Sequence, residues 1–115
     1  MLLNGGTDDG RRILSEESVV RMTTDHLEPS QRALAGPLLR DNEGWGYCMT
    51  APASGAGLGI IPRGFGWNGG AGTSWRSDID ADLTGILFTQ RAAGSPQSSK
   101  ILADFWTAAY EANDN

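Results

Sequence analysis

The sequence predicts an α+β domain in which a helix near each end packs on an antiparallel β-sheet of about four strands. Four β-prone runs, 45–50, 60–68, 73–79 and 83–90, follow one another, and their short connections favour antiparallel pairing. One helical pattern precedes these runs and a second follows them. The 115 residues suffice for one small domain, so we assign positions 1–115 to a single unit.

The first helix is predicted to run from about Glu16 to about His26. Ser15 precedes it as a good N-cap, and Glu16 and Glu17 lie in the first turn, where the helix dipole favours negative charge. The residue before Pro29 avoids helical angles, which ends the helix. The residues that we expect to face the core are Val19, Val20, Met22 and Leu27.

The run 44–50 alternates small and large residues and is predicted to be one strand. Its large residues on one face are Trp45, Tyr47 and Met49. Cys48 lies in this aromatic run without a basic neighbour that would activate its thiol, so we expect it to be buried and inert. A Gly, Ala and Ser loop is predicted over 52–59.

Leu83 to Gln90 is apolar on both faces, which is typical of a central strand covered on both sides. The acidic residues before it, Asp78, Asp80 and Asp82, alternate as in a weak cation loop. They lack the glycine and the terminal glutamate of a calcium loop, so we interpret them as a solvated turn.

The last helix is predicted to begin after Ser95-Pro96, which is an N-cap followed by proline at the first helical position. Apolar residues then recur at helical spacing, which favours a helix packed on one face of the sheet. These residues are Ile101, Leu102, Phe105, Trp106 and Ala109.

Charge and composition exclude several classes of partner. The net charge is −5, with 14 acidic and 9 basic residues and no basic stripe, which argues against nucleic acid. No apolar run is long enough to span a bilayer. With Cys48 and His26 as the only cysteine and histidine, we predict no disulfide, metal site or cofactor. The amino terminus lacks the features of a signal peptide, so we expect a cytoplasmic chain, although a domain cut from a secreted precursor would look the same.

The stretch from Phe65 to Trp75 is the main candidate for function. Four glycines lie between Phe65 and Thr73, so the backbone can approach another backbone or a ligand closely. Main-chain N–H groups that come close to a substrate oxygen are what an oxyanion site requires. Taken by itself, the stretch is better interpreted as a β-hairpin in which Trp67 packs against its neighbours.

Trp67-Asn68-Gly69 resembles the third active-site motif of the penicillin-binding and β-lactamase-related serine hydrolases. That motif reads Lys-Thr-Gly in the lactamases and His-x-Gly or Trp-x-Gly in their esterase relatives. The resemblance implies that the Gly70 N–H is one oxyanion-hole donor and that Trp67, Asn68 and Gly69 contact substrate. Trp67 replaces the lysine or histidine of the motif, a cation that would bind the carboxylate of a β-lactam. The resemblance therefore implies neutral esters or amides as substrates.

The order of the remaining segments resembles the same family. The family has a characteristic sequence pattern just before the third motif. Two segments of this chain match that pattern, Leu3-Asn4-Gly5-Gly6 and Gly10-Arg11-Arg12-Ile13-Leu14-Ser15. The resemblance implies a partial β-lactamase/transpeptidase-like fold. It also implies a small ester or amide substrate, and the missing amino-terminal part of the enzyme as a partner.

The nucleophile of that family is not found in this sequence. The family uses Ser-x-x-Lys and Tyr-x-Asn, but Ser98-Ser99-Lys100 has the wrong spacing and Tyr110-Glu111-Ala112-Asn113 is one residue too long. His26, beside Asp25 near a helix end, is interpreted as a solvated or capping residue. We therefore expect the carboxyl-terminal segment of a serine hydrolase that works through an acyl-enzyme, and we expect the segment to be inactive alone.

The alternative is a free-standing small α+β domain that binds a partner through exposed apolar surface and catalyses nothing. Four tryptophans in 115 residues make such a surface a real alternative.

Overall fold

The computed structural model describes residues 1–53, 63–94 and 100–114. Within these residues the strands are β1 Thr7–Asp8, β2 Arg11–Arg12, β3 Glu43–Trp45, β4 Thr50–Pro52, β5 Phe65–Gly69, β6 Thr73–Asp78 and β7 Leu83–Leu87. The helices are α1 Glu16–Met22, α2 Pro29–Ala35 and α3 Lys100–Asn113, with a 3-10 turn Gly36–Leu38 after α2.

The predicted α+β class is confirmed. In the described part of the chain, β3 to β7 form one antiparallel sheet in the order β3-β4-β5-β6-β7, and β1 pairs with β2 in a separate ladder. The main sheet thus has five strands where about four were expected. Three predictions lie outside the described residues: most of the loop 52–59, the strand positions 60–62, and the cap at Ser95-Pro96.

The helix α1 begins as predicted but ends early. Ser15 caps it, since its Oγ accepts a backbone N–H at 3.1 Å. The helix stops at Met22, and the predicted end near His26 is wrong. The last helical bond runs from the Thr23 N–H to the Val19 carbonyl at 3.0 Å. The Thr23 and Thr24 hydroxyls donate to the carbonyls of Val19 and Val20 at 2.9 and 2.6 Å, so side chains satisfy carbonyls at the end of the helix.

The last turn of α1 contacts the turn that joins β3 to β4: a Cβ added to Gly46 would meet the Met22 carbonyl oxygen at 2.0 Å. The Tyr47 N–H donates to the same oxygen at 2.9 Å. Val19 is buried, and its side chain lies 3.3 Å from a Cβ added to Gly6. Val20 is exposed, so the prediction that it faces the core is wrong; it lies about 100° around the helix from Val19.

The single strand predicted for this hairpin region is also wrong, because the chain turns back within it. Trp45 at the end of β3 pairs directly with Thr50 at the start of β4. Cys48 lies in the turn with a φ of 64°, which a strand residue does not adopt. Its side chain is exposed rather than buried. Met49 is buried whereas Tyr47 is exposed, so the two do not share a face.

Among the described strands β7 lies at an edge of the sheet, with β6 as its neighbour, and not in the central position that was predicted. Helix α3 covers one of its faces: a Cβ added to Gly85 would meet the Trp106 ring at 2.6 Å. On the other face Ile86 is 55% exposed, and Phe88, just beyond the strand, is 80% exposed. The strand is also shorter than predicted, ending at Leu87.

The predicted docking of the final helix on the sheet is confirmed. Trp106 and Tyr110 of α3 are buried against β6. The Trp106 Nε1–H donates to the Ser74 hydroxyl at 3.0 Å, and the Tyr110 hydroxyl donates to Asp78 at 2.8 Å. Apolar packing and hydrogen bonds therefore hold α3 at two positions along β6, at Ser74 and at Asp78.

Asp78 does not belong to a solvated turn, in contrast to the prediction. Its carboxylate is buried, accepts the Tyr110 hydroxyl, and lies 3.2 Å from the Arg63 Nε. Burial, together with this hydrogen bond, raises the pKa of Tyr110. Asp80 and Asp82 are exposed, so the solvated interpretation holds for these two.

Candidate functional site

The stretch Trp67-Asn68-Gly69-Gly70 forms the end of β5 and the first residue of the turn to β6. Gly69 pairs with Thr73 across the hairpin, and the Gly72 N–H donates to the Gly69 carbonyl at 3.0 Å. The Gly70 carbonyl accepts the Ala93 N–H at 3.0 Å. The turn is therefore held both from within and by the segment that follows β7.

Gly72 fixes the position of this turn. Its φ of 82° favours glycine, and a Cβ added there would meet the Arg91 carbonyl oxygen at 1.8 Å. The Gly72 carbonyl also accepts the Thr89 hydroxyl at 2.6 Å. This close backbone contact requires glycine and holds the turn against residues 89–93.

Gly70 is exposed at the tip of the hairpin. Its N–H donates to no acceptor within residues 1–53, 63–94 and 100–114, and a Cβ added to it would meet nothing within 4 Å. An exposed N–H without an acceptor among the described residues, on a backbone held from two sides, can donate to an oxygen of a bound molecule. The role of this N–H as an oxyanion donor, which the resemblance implies, stays a prediction.

Trp67 lies on the face of the sheet opposite α3 and is half-buried. Its ring meets the Trp45 ring edge to face, with centroids 4.9 Å apart and an interplanar angle of 83°. Trp67, Trp75 and Ile86 are paired neighbours on β5, β6 and β7, and so form a row on one face. Phe65 meets Trp75 edge to face at 6.2 Å. We call the row Trp67, Trp75 and Ile86 the apolar wall.

Asn68 points to the other face, as strand alternation requires. Its side chain is buried under α3, where its Oδ1 accepts the Ser74 hydroxyl at 2.7 Å. The same hydroxyl accepts the Trp106 N–H. The structure thus separates the Asn68 side chain from Trp67, and this placement does not support the substrate contact that the resemblance implies for that side chain.

A buried ion pair between Arg76 and Glu43 joins β6 to β3, and sequence reasoning missed it. Both side chains are buried, and the Arg76 guanidinium donates to the Glu43 carboxylate, leaving its Nε without a partner in the described residues. Burial lowers the pKa of Arg76 and the Glu43 charge opposes this shift. The alternation of Ser74, Arg76 and Asp78 in a β-prone run could have indicated a polar buried face.

Asp25 and His26 do not form a catalytic pair. The Asp25 carboxylate accepts the N–H groups of Leu27 and Trp45 at 3.0 and 3.1 Å and pairs with Arg32. The His26 ring is exposed, stacks on Tyr47, and forms a hydrogen bond with the carbonyl of the last turn of α1. The interpretation of His26 as a solvated, capping residue agrees with this placement.

Asp25 is expected to make stability depend on pH. Burial opposes its ionisation, but the two N–H donors and Arg32 outweigh that effect, so the pKa of Asp25 is lowered. Its contribution is present above the unfolded pKa of about 3.9 and is lost as pH falls through the folded value. Urea denaturation at several pH values should show a smaller acid-induced loss of stability for Asp25→Asn than for the wild type. The exposed Asp41→Asn is the control, and an equal loss in all three proteins contradicts this role.

Comparison with known proteins finds two relatives that are longer than this chain. No protein-family model matches the sequence. Uncharacterized protein MT1414 of Mycobacterium tuberculosis strain CDC 1551 / Oshkosh and protein Rv1367c of strain H37Rv are each 35% identical to it over 120 aligned positions. The alignment covers 88% of this chain and 30% of either relative, so the chain spans about 30% of the length of the curated relatives it matches.

Two further observations concern metal binding and membrane crossing. No group of three His, Cys, Asp or Glu side chains among them is placed to hold a metal ion. None of the helices in this part of the chain is long and apolar enough to cross a membrane.

Proposed function

We propose that the chain is the carboxyl-terminal segment of a β-lactamase-related serine hydrolase of the esterase branch. In this proposal it supplies the third active-site motif and part of the oxyanion hole. The observation that carries the proposal is the exposed Gly70 N–H, which has no acceptor among the described residues and lies three residues after Trp67 in the motif stretch.

The role of Gly70 follows from where charge develops during acyl transfer. A serine from the rest of the enzyme attacks the acyl carbonyl, and the carbonyl oxygen becomes an oxyanion that accepts the Gly70 N–H. The bond from the Ala93 N–H to the Gly70 carbonyl holds this peptide before substrate arrives. The base of the enzyme takes the serine proton and gives it to the leaving alcohol or amine, whose bond to the acyl carbon breaks as the intermediate collapses to an acyl-enzyme. Water then hydrolyses the acyl-enzyme to the free acid and the serine. This segment contributes no nucleophile.

The apolar wall accounts for the proposed substrate class. The ring of Trp67 packs edge to face with the ring of Trp45. It is a neutral side chain at the position where the lactamases have a cation. A neutral acyl or alcohol group gains from contact with this surface, whereas a carboxylate would find no counter-charge on Trp67. Neutral esters or amides are therefore the proposed substrates.

The length of the relatives supports a segment of a larger enzyme. Most of each relative lies outside the aligned region, which leaves ample chain for a nucleophile and a base. The decisive observation is the coding sequence upstream of Met1. An in-frame Ser-x-x-Lys followed by Tyr-x-Asn, in a longer protein whose serine reacts with a fluorophosphonate, is the expected result. A longer protein without these motifs overturns the proposal.

The isolated chain is expected not to hydrolyse short-chain p-nitrophenyl esters or nitrocefin above background, because the nucleophile and base are missing. Release of p-nitrophenol and the colour change of nitrocefin report this directly. Turnover that disappears when a serine of this chain is replaced would show that the chain carries its own nucleophile, and the proposal would then be wrong.

A partner-binding domain without catalysis is the second candidate. The exposed Ile86 and Phe88 at the edge of the sheet favour it, since surface of this kind commonly marks an interaction site. This candidate requires no serine upstream of Met1, so the same coding sequence separates the two.

A further inference from the structure

The direction of the Gly70 N–H is set by a hydrogen bond inside the turn. The Gly69 carbonyl and the Gly70 N–H belong to one planar trans peptide, so they point in opposite directions. The Gly69 carbonyl accepts the Gly72 N–H at 3.0 Å and therefore points into the turn. The Gly70 N–H consequently points out of the turn, on an exposed residue.

The next peptide is fixed from outside the hairpin. The Gly70 carbonyl accepts the Ala93 N–H at 3.0 Å. Each of the two peptides that meet at the Gly70 Cα therefore has its carbonyl in a hydrogen bond, one inside the turn and one to the segment after β7. Rotation of the first peptide would redirect the Gly70 N–H, and it would break the bond inside the turn.

The side chain of Thr89 connects these two fixed points. Its hydroxyl donates to the Gly72 carbonyl at 2.6 Å and accepts the Arg91 N–H at 3.3 Å. The fit is close, because a Cβ added to Gly72 would meet the Thr89 Oγ1 at 2.5 Å. Gly72 supplies the N–H that orients the Gly69 carbonyl, and the segment after Arg91 supplies the N–H that holds the next one. One hydroxyl thus joins the turn to the segment that fixes it.

We propose that Thr89 is a positioning residue whose hydroxyl keeps the Gly70 N–H directed out of the turn, as a donor to an oxygen of a bound molecule. It acts through Gly72 and not on the Gly70 N–H itself. What the N–H binds rests on the function proposed above, whereas the way in which it is held rests only on contacts within this chain. A donor that is already oriented needs no reorganisation when charge develops on a substrate oxygen.

Nuclear magnetic resonance of the purified chain tests this role without an activity assay. We expect an order parameter of about 0.85 for the wild-type Gly70 N–H, the value of rigid backbone. Thr89→Val keeps the shape of the side chain but removes the hydroxyl, and it should lower this order parameter below about 0.6. Exchange of the Ala93 amide hydrogen with solvent should become about two- to tenfold faster, because a hydrogen bond that holds its segment is lost.

Two matched variants separate the hydroxyl from other effects of substitution. Thr89→Ser keeps a hydroxyl and should retain the wild-type order parameter and exchange rate. Thr84→Val removes a hydroxyl near the other end of β7, where it shares a hydrogen bond with Ser77 at 2.8 Å, and it should leave Gly70 unchanged. Circular dichroism shows that each variant is folded.

The same variants make a kinetic prediction for the longer enzyme that we propose. Thr89→Val should lower kcat about two- to tenfold and leave KM nearly unchanged, because the donor acts on charge that develops in the transition state. Thr89→Ser should keep the wild-type kcat. A residue that only stabilised the fold would not change kcat selectively in a folded enzyme.

Three results would overturn the proposal. Equal order parameters for Gly70 in the wild type and in Thr89→Val show that the hydroxyl does not hold the N–H. An equal effect of Thr84→Val shows a general loosening of the sheet. An enzyme in which Gly70→Pro lowers kcat and Thr89→Val does not shows that the donor needs no such positioning. Failure of the hydrolase function looks different, because Gly70→Pro then has no effect on turnover while Thr89→Val still makes Gly70 mobile.

Discussion

Replacing Trp106 with Ala is expected to lower the free energy of unfolding by about 3–5 kcal/mol. The side chain is 2% exposed, and its ring fills the space above Gly85. Its removal leaves a cavity between α3 and the sheet. It also removes the N–H that donates to Ser74, which in turn bonds Asn68. Urea denaturation followed by far-UV circular dichroism measures the loss.

Two further variants on the same helix test whether the loss of stability is specific to Trp106 and how much of it comes from the ring. Thr107→Ala changes an exposed neighbour and should alter stability only slightly. Trp106→Phe keeps a large ring but loses the N–H, so its cost should lie between the other two. An unchanged denaturation midpoint in Trp106→Ala would show that α3 is not docked as the structure has it.

In the longer enzyme that we propose, replacing Gly70 with Pro is expected to lower kcat by a factor of about 10²–10³. Proline has no backbone N–H, so the substitution removes the proposed oxyanion donor itself. Deletion of a side chain cannot test this group, because the donor belongs to the main chain. Steady-state kinetics with a neutral p-nitrophenyl ester measures the effect.

Gly70→Ala is the matched control for this prediction. It keeps the N–H, and the added Cβ meets nothing within 4 Å, so kcat should stay close to that of the wild type. Trp67→Ala should act mainly on KM, because a wall residue contacts ground state and transition state alike. Near-UV circular dichroism must first show that Gly70→Pro is folded. A folded variant with wild-type kcat would mean that the turn is only a hairpin.

Several features of the fold could be predicted because short stretches of sequence encode them. The Ser15 cap sets the start of α1 through a bond to a residue of the same turn. The apolar spacing around Trp106 specifies a helix with one buried face. The glycines from Gly69 to Gly72 specify a tight turn before a β-prone run.

The candidate site could be predicted only in part. The sequence predicted the turn at Gly70, and the structure shows Gly70 exposed, with no acceptor for its N–H among the described residues. The structure also places Trp67 and Asn68 on opposite faces of the sheet. The Asn68 side chain is buried and accepts a hydrogen bond from the Ser74 hydroxyl. Residue types alone did not indicate which of the two faces α3 would cover.

The sequence by itself therefore determined the α+β class, the start of α1, the docking helix and the glycine turn. The tertiary structure decided that β7 lies at an edge among the described strands, that Asp78 is buried, and that Arg76 pairs with Glu43. Glu43 and Arg76 are 33 positions apart, and their contact exists only once β3 and β6 belong to one sheet. Caps and periodicity act within a few residues, whereas burial depends on which distant segment covers each face, and local patterns do not contain that information.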